Sequence, residues 1–485
     1  ISENYVHGKS LLDTDHPSFL QENLYFSDGQ IQDEVYVYGS FLQSKMYTAG
    51  VVCSDCHEPH SGKVFVDGNA LCYRCHAPSK FGVRQHHFHD PEKNGGLCVE
   101  CHMPDRTYMV IDPRRDHSMR NPRPDLSDKL ETPNACIKCH ANKSNRWAAG
   151  YTKKWYGDKK AMHFGEVFHA ARRAAPEALP NLLSLADSST LSPMLRATAL
   201  SLLENYSTSE LQPLLRRALN DADPLIRTAA ISASRVIEPS ERYHLLKRAL
   251  KDSVRLVRTQ AAILLADTLI AKMSREDKYV LQAAVDEYKE SLLINADHHT
   301  AWLNLALLAL RQNDAQQAEA NYKKAIEIEP LFPYSYINLA DLYRAQDREA
   351  ESERTLLDAL DQNSGMADIH HALGLLYVRG HKLDKALDYL QTAVRLNPET
   401  TRFSYVYGVA LNSHGETDKA LSVLQQALDL HPFNVELLTA LATMSRDSGD
   451  INRALLYAER LAGVYPENKS FQHLLQQLTS LLSSE

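Results

Sequence analysis

Cys-x-x-Cys-His occurs four times between Cys53 and His140, and the four copies use every cysteine in the chain. They are Cys53–Cys56–His57, Cys72–Cys75–His76, Cys98–Cys101–His102 and Cys136–Cys139–His140. Two thiols about one helical turn apart can bond to the two vinyl groups of one porphyrin, and the adjacent histidine then lies under the iron as its axial ligand. Structural zinc is the main competing chemistry, because two Cys-x-x-Cys pairs can supply a four-thiolate site. Zinc gives no reason for a histidine directly after the second cysteine in all four copies. Disulfides compete less well, since stapling loops needs neither the paired spacing nor the histidine. The cofactor expected is four haem c groups, attached at the eight cysteines, with His57, His76, His102 and His140 as proximal ligands.

Each iron then needs a sixth ligand or keeps an open site. Histidines crowd the first 170 residues: besides the proximal four there are His7, His16, His60, His86, His87, His89, His117, His163 and His169. His60 ranks first, because Cys-His-x-x-His spacing can send the second histidine to a neighbouring haem. His117 and one of His86, His87 or His89 follow, and His16 and His163 compete for the fourth place. Met103 is a weaker candidate, an axial sulfur that would raise the potential of its haem. Histidines of the second half have no cysteine partner and are read as surface or packing residues of repeats.

The elements that must position these groups are uneven along the chain. Val35 to Leu42 has an aromatic pattern compatible with a short strand or the start of a helix. Val51 to about Asn145 is rich in turn residues and poor in long apolar runs, so polypeptide alone cannot build a core there. Porphyrins would supply the missing apolar surface, and without haem residues 1–170 are expected to be unfolded. Thr132-Pro133 reads as N-cap and first residue of the fourth motif's helix. Pro113, Pro122 and Pro124 favour an extended segment wrapping the haems.

Beyond residue 170 two periods appear. Arg196, Arg227 and Arg258 recur every 31 residues in Pro193-Met-Leu-Arg-like segments, as in short HEAT-like helix pairs. Ala306, Ala340, Gly374, Gly408 and Ala442 recur every 34 residues, and Pro330, Pro398, Pro432 and Pro466 end units on the same grid. That period, with small residues and terminal prolines, marks about five tetratricopeptide repeats from His298 to Pro466. The fold class expected is mostly α: a loop-rich, haem-packed cytochrome domain (1–170), then an α-solenoid, HEAT-like (171–272) and tetratricopeptide (273–485).

The net charge of −8 argues against nucleic acid as a partner. The absence of a run of about 18 apolar residues argues against a membrane-spanning helix. With neither initiator methionine nor signal peptide, Ile1 reads as the start of a processed chain or of part of a longer precursor.

The segments Gln30–Met46, Cys53–His60, Arg106–His117 and Thr132–Cys136 resemble multihaem c-type cytochromes with C-terminal tetratricopeptide repeats. The haem part is similar to that of the tetrahaem carrier partnering hydroxylamine oxidoreductase, and longer members of the group carry further motifs upstream. The resemblance implies extracytoplasmic electron transfer, in a periplasm or outside the cell. The repeats would dock a redox protein or further copies of the chain, as a homo-oligomer or a haem-wire filament. The alternative is a multihaem oxidoreductase with one open iron acting on a small nitrogen or sulfur compound; an electron carrier is favoured over an enzyme.

Overall fold

A computed structural model of the chain describes residues 6, 8–90, 93–158, 162–206, 208–267, 273–466 and 468–482. Its second half is a stack of helix pairs. Leu179–Asp187 with Pro193–Leu202, Leu211–Ala218 with Pro224–Ala233, and Pro239–Leu246 with Arg255–Leu265 form the HEAT-like part. The 31-residue arginine period is a ladder between repeats. Arg196 donates to Asp221 at 2.8 Å, Arg227 grips Asp252 with two bonds of 2.8 Å, and Arg258 binds Glu287 at 2.6 and 2.9 Å. Each carboxylate belongs to the following unit. Arg227 also donates to the Asp221 and Ala222 carbonyls, and Arg258 to that of Asp252. Each guanidinium thus satisfies a turn that the helices leave short of donors.

Five tetratricopeptide pairs follow, from His299–Arg311 with Ala315–Ile328 to Val435–Asp447 with Ile451–Val464. The small residues at 34-residue intervals are where paired helices touch: a Cβ on Gly374 would come within 2.5 Å of Leu390, and one on Gly408 within 2.7 Å of Leu424. Arg275–Leu293 precedes the array, and Lys469–Leu482 closes it by burying Leu478 against Ala454 and Ala458. No described helix is long and apolar enough to cross a membrane.

The first fifty residues are not a free flank. Leu12, Phe19, Leu20, Tyr25, Ile31 and Leu42 share one core with Phe168, Met194, Leu200 and the HEAT-like helices. Leu20 N–H donates to Thr198 Oγ1 at 3.1 Å and Arg255 N–H to Asp13 Oδ1 at 2.8 Å. The Val35–Leu42 stretch contains a one-turn helix, Val37–Phe41. This packing departs from the expectation that all of residues 1–170 wait on haem to fold.

The motif segment is built differently. Between Val51 and Thr107 no hydrophobic side chain is buried among the described residues; the buried ones up to Trp147 are Tyr108, Leu126 and Leu130. Motifs sit on single turns, Cys53–Asp55, Asn69–Tyr73, Cys98–His102 and Ala135–Cys139. The last is capped by Asn134, whose side chain accepts from Cys136 N–H at 2.9 Å, so the cap falls two residues after the expected Thr132. The proline-containing wrap is in fact an antiparallel hairpin, β1 (Asp105–Tyr108) and β2 (Asp112–Arg115), then a helix, Pro124–Leu130. Pro124 occupies the first turn of that helix, where its missing N–H costs nothing.

Two outcomes test this division. Arg227→Ala is expected to cost about 2–4 kcal/mol in urea unfolding, because it strands a largely buried Asp252. Arg217→Ala, which opens an exposed pair with Asp187, is expected to leave the transition unmoved. In limited proteolysis of protein made without haem, the segment 10–45 is expected to be protected with the solenoid while 51–107 is cut first.

Candidate haem sites

Four contacts between neighbours lay the motifs out in chain order. Arg74 donates to the Asp55 carbonyl at 2.7 Å, tying the second motif to the first. Asn69 accepts from Cys98 N–H and donates to the Gly96 carbonyl, each at 2.8 Å, tying the second to the third. The Cys72 and Cys98 thiols are hydrogen-bonded to each other. Lys138 reaches Asp105, tying the fourth to the strand after the third. Burial pushes the Cys101 thiol up to about 11, with Cys136 and Cys139 close enough to add to the shift.

Three motif histidines face a second imidazole. His57 faces His117 with ring centres 6.2 Å apart, His102 faces His86 at 6.1 Å, and His140 faces His89 at 6.2 Å. A metal–imidazole bond of about 2 Å on each side, with each ring centre about 1.1 Å behind its nitrogen, puts two rings sharing one metal about 6 Å apart. The spacing therefore fits an iron between each pair.

The outer nitrogens agree with the spacing. Nδ1 of His57 bonds the Gly62 carbonyl at 2.7 Å, Nδ1 of His102 the Arg120 carbonyl at 2.9 Å, and Nδ1 of His117 the Arg115 carbonyl at 2.9 Å. Nδ1 of His89 likewise bonds the His87 carbonyl. A carbonyl can only accept, so in each ring Nδ1 carries the proton and Nε2 is left as the basic nitrogen a metal takes. The uncovered apolar surface of Val52, Val64, Phe65, Val66 and Leu97 is a further fit to a flat apolar group.

His86 and His89 are aimed at different motifs by one residue. The helix Arg84–His87 ends at Phe88, whose φ of +57° is left-handed and turns the chain. Phe88 stacks flat on Trp155 at 4.5 Å, and the Tyr156 hydroxyl donates to the His86 carbonyl, so the helix Asn145–Tyr156 holds the turn. Gly95, with φ of +91°, backs the His89 ring so closely that a Cβ would lie 2.5 Å from it. Trp147 of the same long helix packs on His140 at 5.0 Å.

His76 is the exception. Phe81 stands edge-on to it at 5.5 Å and edge-on to His86 at 5.3 Å, and no second imidazole faces His76 among the described residues. His60, ranked first from the sequence, is exposed, and its backbone N–H donates to Glu58. His87 accepts from His89 N–H and so serves the turn. His163 caps the helix Phe164–Arg172: burial holds its pKa down at about 4, and its neutral Nδ1 accepts from Gly165 N–H at 3.0 Å. His16 keeps an exposed edge, though burial of the remainder lowers its pKa. None of these four faces a motif histidine, and His7 lies outside the described residues. A zinc site would gather its thiolates at one point; among the described residues no three His, Cys, Asp or Glu side chains converge in that way.

Comparison with known proteins agrees with this division. Residues 46–81 match the family described as a doubled CXXCH motif, 179–266 match HEAT repeats, and 299–330, 321–354 and 371–435 match tetratricopeptide repeats. The chain is similar to human protein O-mannosyl-transferase TMTC3, 24% identical over 142 residues, which is 29% of this chain and 15% of that protein. It is also similar to the yeast anaphase-promoting complex subunit CDC16, 28% identical over 104 residues, 20% of this chain and 12% of that one. Among solved structures it resembles PilW, a type IV pilus biogenesis factor, at 17% identity and a TM-score of 0.34, over 46% of this chain and 99% of that one. YrrB, a tetratricopeptide protein with an unusual peptide-binding site, matches at 23% identity and a TM-score of 0.30, over 38% and 95%. These matches name the paired motif and the two repeats, not a carrier for hydroxylamine oxidoreductase. The paired motifs imply covalently attached haem c, whose attachment is typically extracytoplasmic, and the tetratricopeptide repeats imply protein partners.

Proposed function

We propose that the chain carries electrons through four haem c groups, outside the cytoplasm, with its helical repeats docking a protein partner. The observation that carries this reading is the set of three imidazole pairs at 6.1–6.2 Å. Haem supplies reversible one-electron chemistry when two strong axial ligands fill its iron and leave no place for substrate. On this reading His117, His86 and His89 are the distal ligands of the first, third and fourth motifs. The chain's own contribution is ligation, the carbonyl bonds that fix the imidazoles, and the order of the motifs. That order makes neighbours in sequence neighbours in space, so electrons pass along the series. Likeness to the tetrahaem carrier of hydroxylamine oxidoreductase supports the same reading through the quoted sequence segments. Self-assembly into a homo-oligomer or filament is the form of docking in which the partner is another copy of this chain.

A second reading has one specific observation in its favour. Among the described residues His76 faces Phe81 and no second histidine, so of the four sites the second-motif iron is the one left with room for a small nitrogen or sulfur compound, as in a multihaem oxidoreductase.

Reduced-minus-oxidised titration with haem quantification is expected to return four haems per chain; two or three would overturn the count. His117→Ala, His86→Ala and His89→Ala are each expected to turn one low-spin haem high-spin, whereas His60→Ala leaves the spectrum unchanged. A high-spin signal from His60→Ala would restore His60 as the ligand opposite His76. Carbon monoxide is expected to bind the reduced protein at one equivalent per chain or fewer. Turnover of a small substrate that is abolished by carbon monoxide would favour the oxidoreductase.

A further inference from the structure

Behind the motifs, away from the cysteines, lies a cluster of charged side chains that neither ligation nor the repeat ladder uses. Arg120 donates from Nε to Asp116 at 3.1 Å and from one terminal nitrogen to the Asp28 carbonyl at 2.8 Å, with the Asp28 carboxylate 3.5 Å away. Its side chain is 16% exposed, and those of Asp28 and Asp116 are 6% and 8%. Further donors reach the two carboxylates. The Ser40 hydroxyl and Ser118 N–H donate to Asp116, and Gln30 donates through its side-chain amide to both Asp28 and the Pro133 carbonyl, each at 2.8 Å.

Two charged carboxylates and one guanidinium held this deeply are expensive to bury, and replacing such groups by apolar ones is often neutral for stability or better. Their retention here has a geometric counterpart. The six residues Arg115–Arg120 supply the carbonyl of Arg115 to His117 Nδ1 and the carbonyl of Arg120 to His102 Nδ1. Arg115 also donates to the Met103 carbonyl at 3.1 Å, capping the third motif's helix, and Asp116 N–H donates to the Pro104 carbonyl. One short strap therefore touches the first site from its distal side and the third from its proximal side. The hub grips that strap at residues 116 and 120.

The hub's other half is anchored to the solenoid. Arg172 donates to the Leu20 carbonyl at 2.8 Å and to Ser27 at 3.3 Å, and Gly165 lies so close to Asp28 that a Cβ there would be 2.9 Å from its Cα.

We infer that Asp28, Arg120, Asp116 and Ser40 are positioning residues that set the imidazole orientation at the first and third haem sites together. The inference rests on the ligand pairs proposed above. It adds that these two sites are mechanically one unit, referenced to the HEAT-like platform, while the His89–His140 site is held separately by Trp155 and Trp147. A histidine whose Nδ1–H bond is displaced becomes a weaker donor and rotates about its axial bond, so both the potential and the low-spin spectrum of its haem respond.

The test is low-temperature electron paramagnetic resonance of the oxidised holoprotein, with signals assigned by His117→Met, His86→Met and His89→Met. In Arg120→Gln and in Asp116→Asn, the signals assigned to the first and third motifs are expected to shift while the fourth-motif signal stays. The midpoint potentials of the same two haems are expected to move in one direction. Ser40→Ala, which removes a single donor, gives a smaller shift at the same two and decides the matter if Arg120→Gln fails to accumulate. Movement of one signal alone, of all three equally, or of none overturns the hub. Fewer than three bis-histidine signals in the unaltered protein overturns instead the ligand assignment beneath it.

Discussion

Two imidazoles can share one metal only if their ring centres stand about 6 Å apart, and the chain brings three pairs to 6.1–6.2 Å with almost no apolar core of its own nearby. Helix packing would ordinarily fix such distances, but the motif segment buries almost nothing. Four of the six rings are held instead from behind, by a carbonyl on the outer nitrogen, and those carbonyls belong to turns and a strap braced elsewhere. Most of the structure follows from supplying that bracing. Leu12 to Leu42 pack into the HEAT-like core and present Asp28 and Ser40 to the strap. The helix Asn145–Tyr156 lies along the fourth motif and clamps the Phe88 turn.

The division between what was readable and what was not follows range along the chain. Cys-x-x-Cys-His is legible because covalent attachment fixes its spacing within five residues. The two repeat periods are legible because each unit solves the same packing problem, and Arg196, Arg227 and Arg258 show that even a ladder between units leaves a local mark. The histidine pairs proposed as ligands are a long-range property and carry no such mark. Ranking His60 first applied a local rule, yet His117 reaches His57 from beyond a hairpin. The sequence reading takes one ligand from His86, His87 and His89, whereas the structure sets two of them, His86 and His89, against motif histidines. Phe88, in a left-handed conformation uncommon for a bulky residue, sends His86 and His89 to different motifs. The crowding of aromatic residues in Asn145–Tyr156 was the signal available for that, since Trp147 packs on His140 and Trp155 on Phe88.

The same distinction separates the two parts of the chain energetically. The solenoid and the N-terminal segment have buried Leu, Ile, Ala and Tyr side chains in contiguous clusters, so their folding draws on ordinary apolar burial. The motif segment has hydrogen bonds and ring contacts without a matching apolar interior. Coupling of haem attachment to folding is therefore confined to the part between the anchors. The anchors on either side, Ile31 to Leu42 and Phe164 to Arg172, are already held by the platform. Such an arrangement shortens the stretch that attachment must order, which limits the conformational entropy lost in doing so.

The position of His76, the one motif histidine with no facing imidazole among the described residues, bears on which reading of the chain is stronger. His76 belongs to the second motif, so its neighbours are the first motif through Arg74 and the third through Asn69 and the Cys72–Cys98 contact. A catalytic iron fed by a relay is most economically placed at one end, where substrate enters from one side and electrons from the other. An interior place makes any group bound there sit beside the path, not at its terminus. Phe81, edge-on to both His76 and His86, also puts an apolar ring where acid–base groups would be needed to handle protons. On the proposed reading, a single strong axial ligand at an interior site would give one carrier in the series a different potential from its bis-histidine neighbours. Axial ligation is one of the levers on potential that a protein holds, so on that reading the unlike site would tune the relay without requiring any substrate.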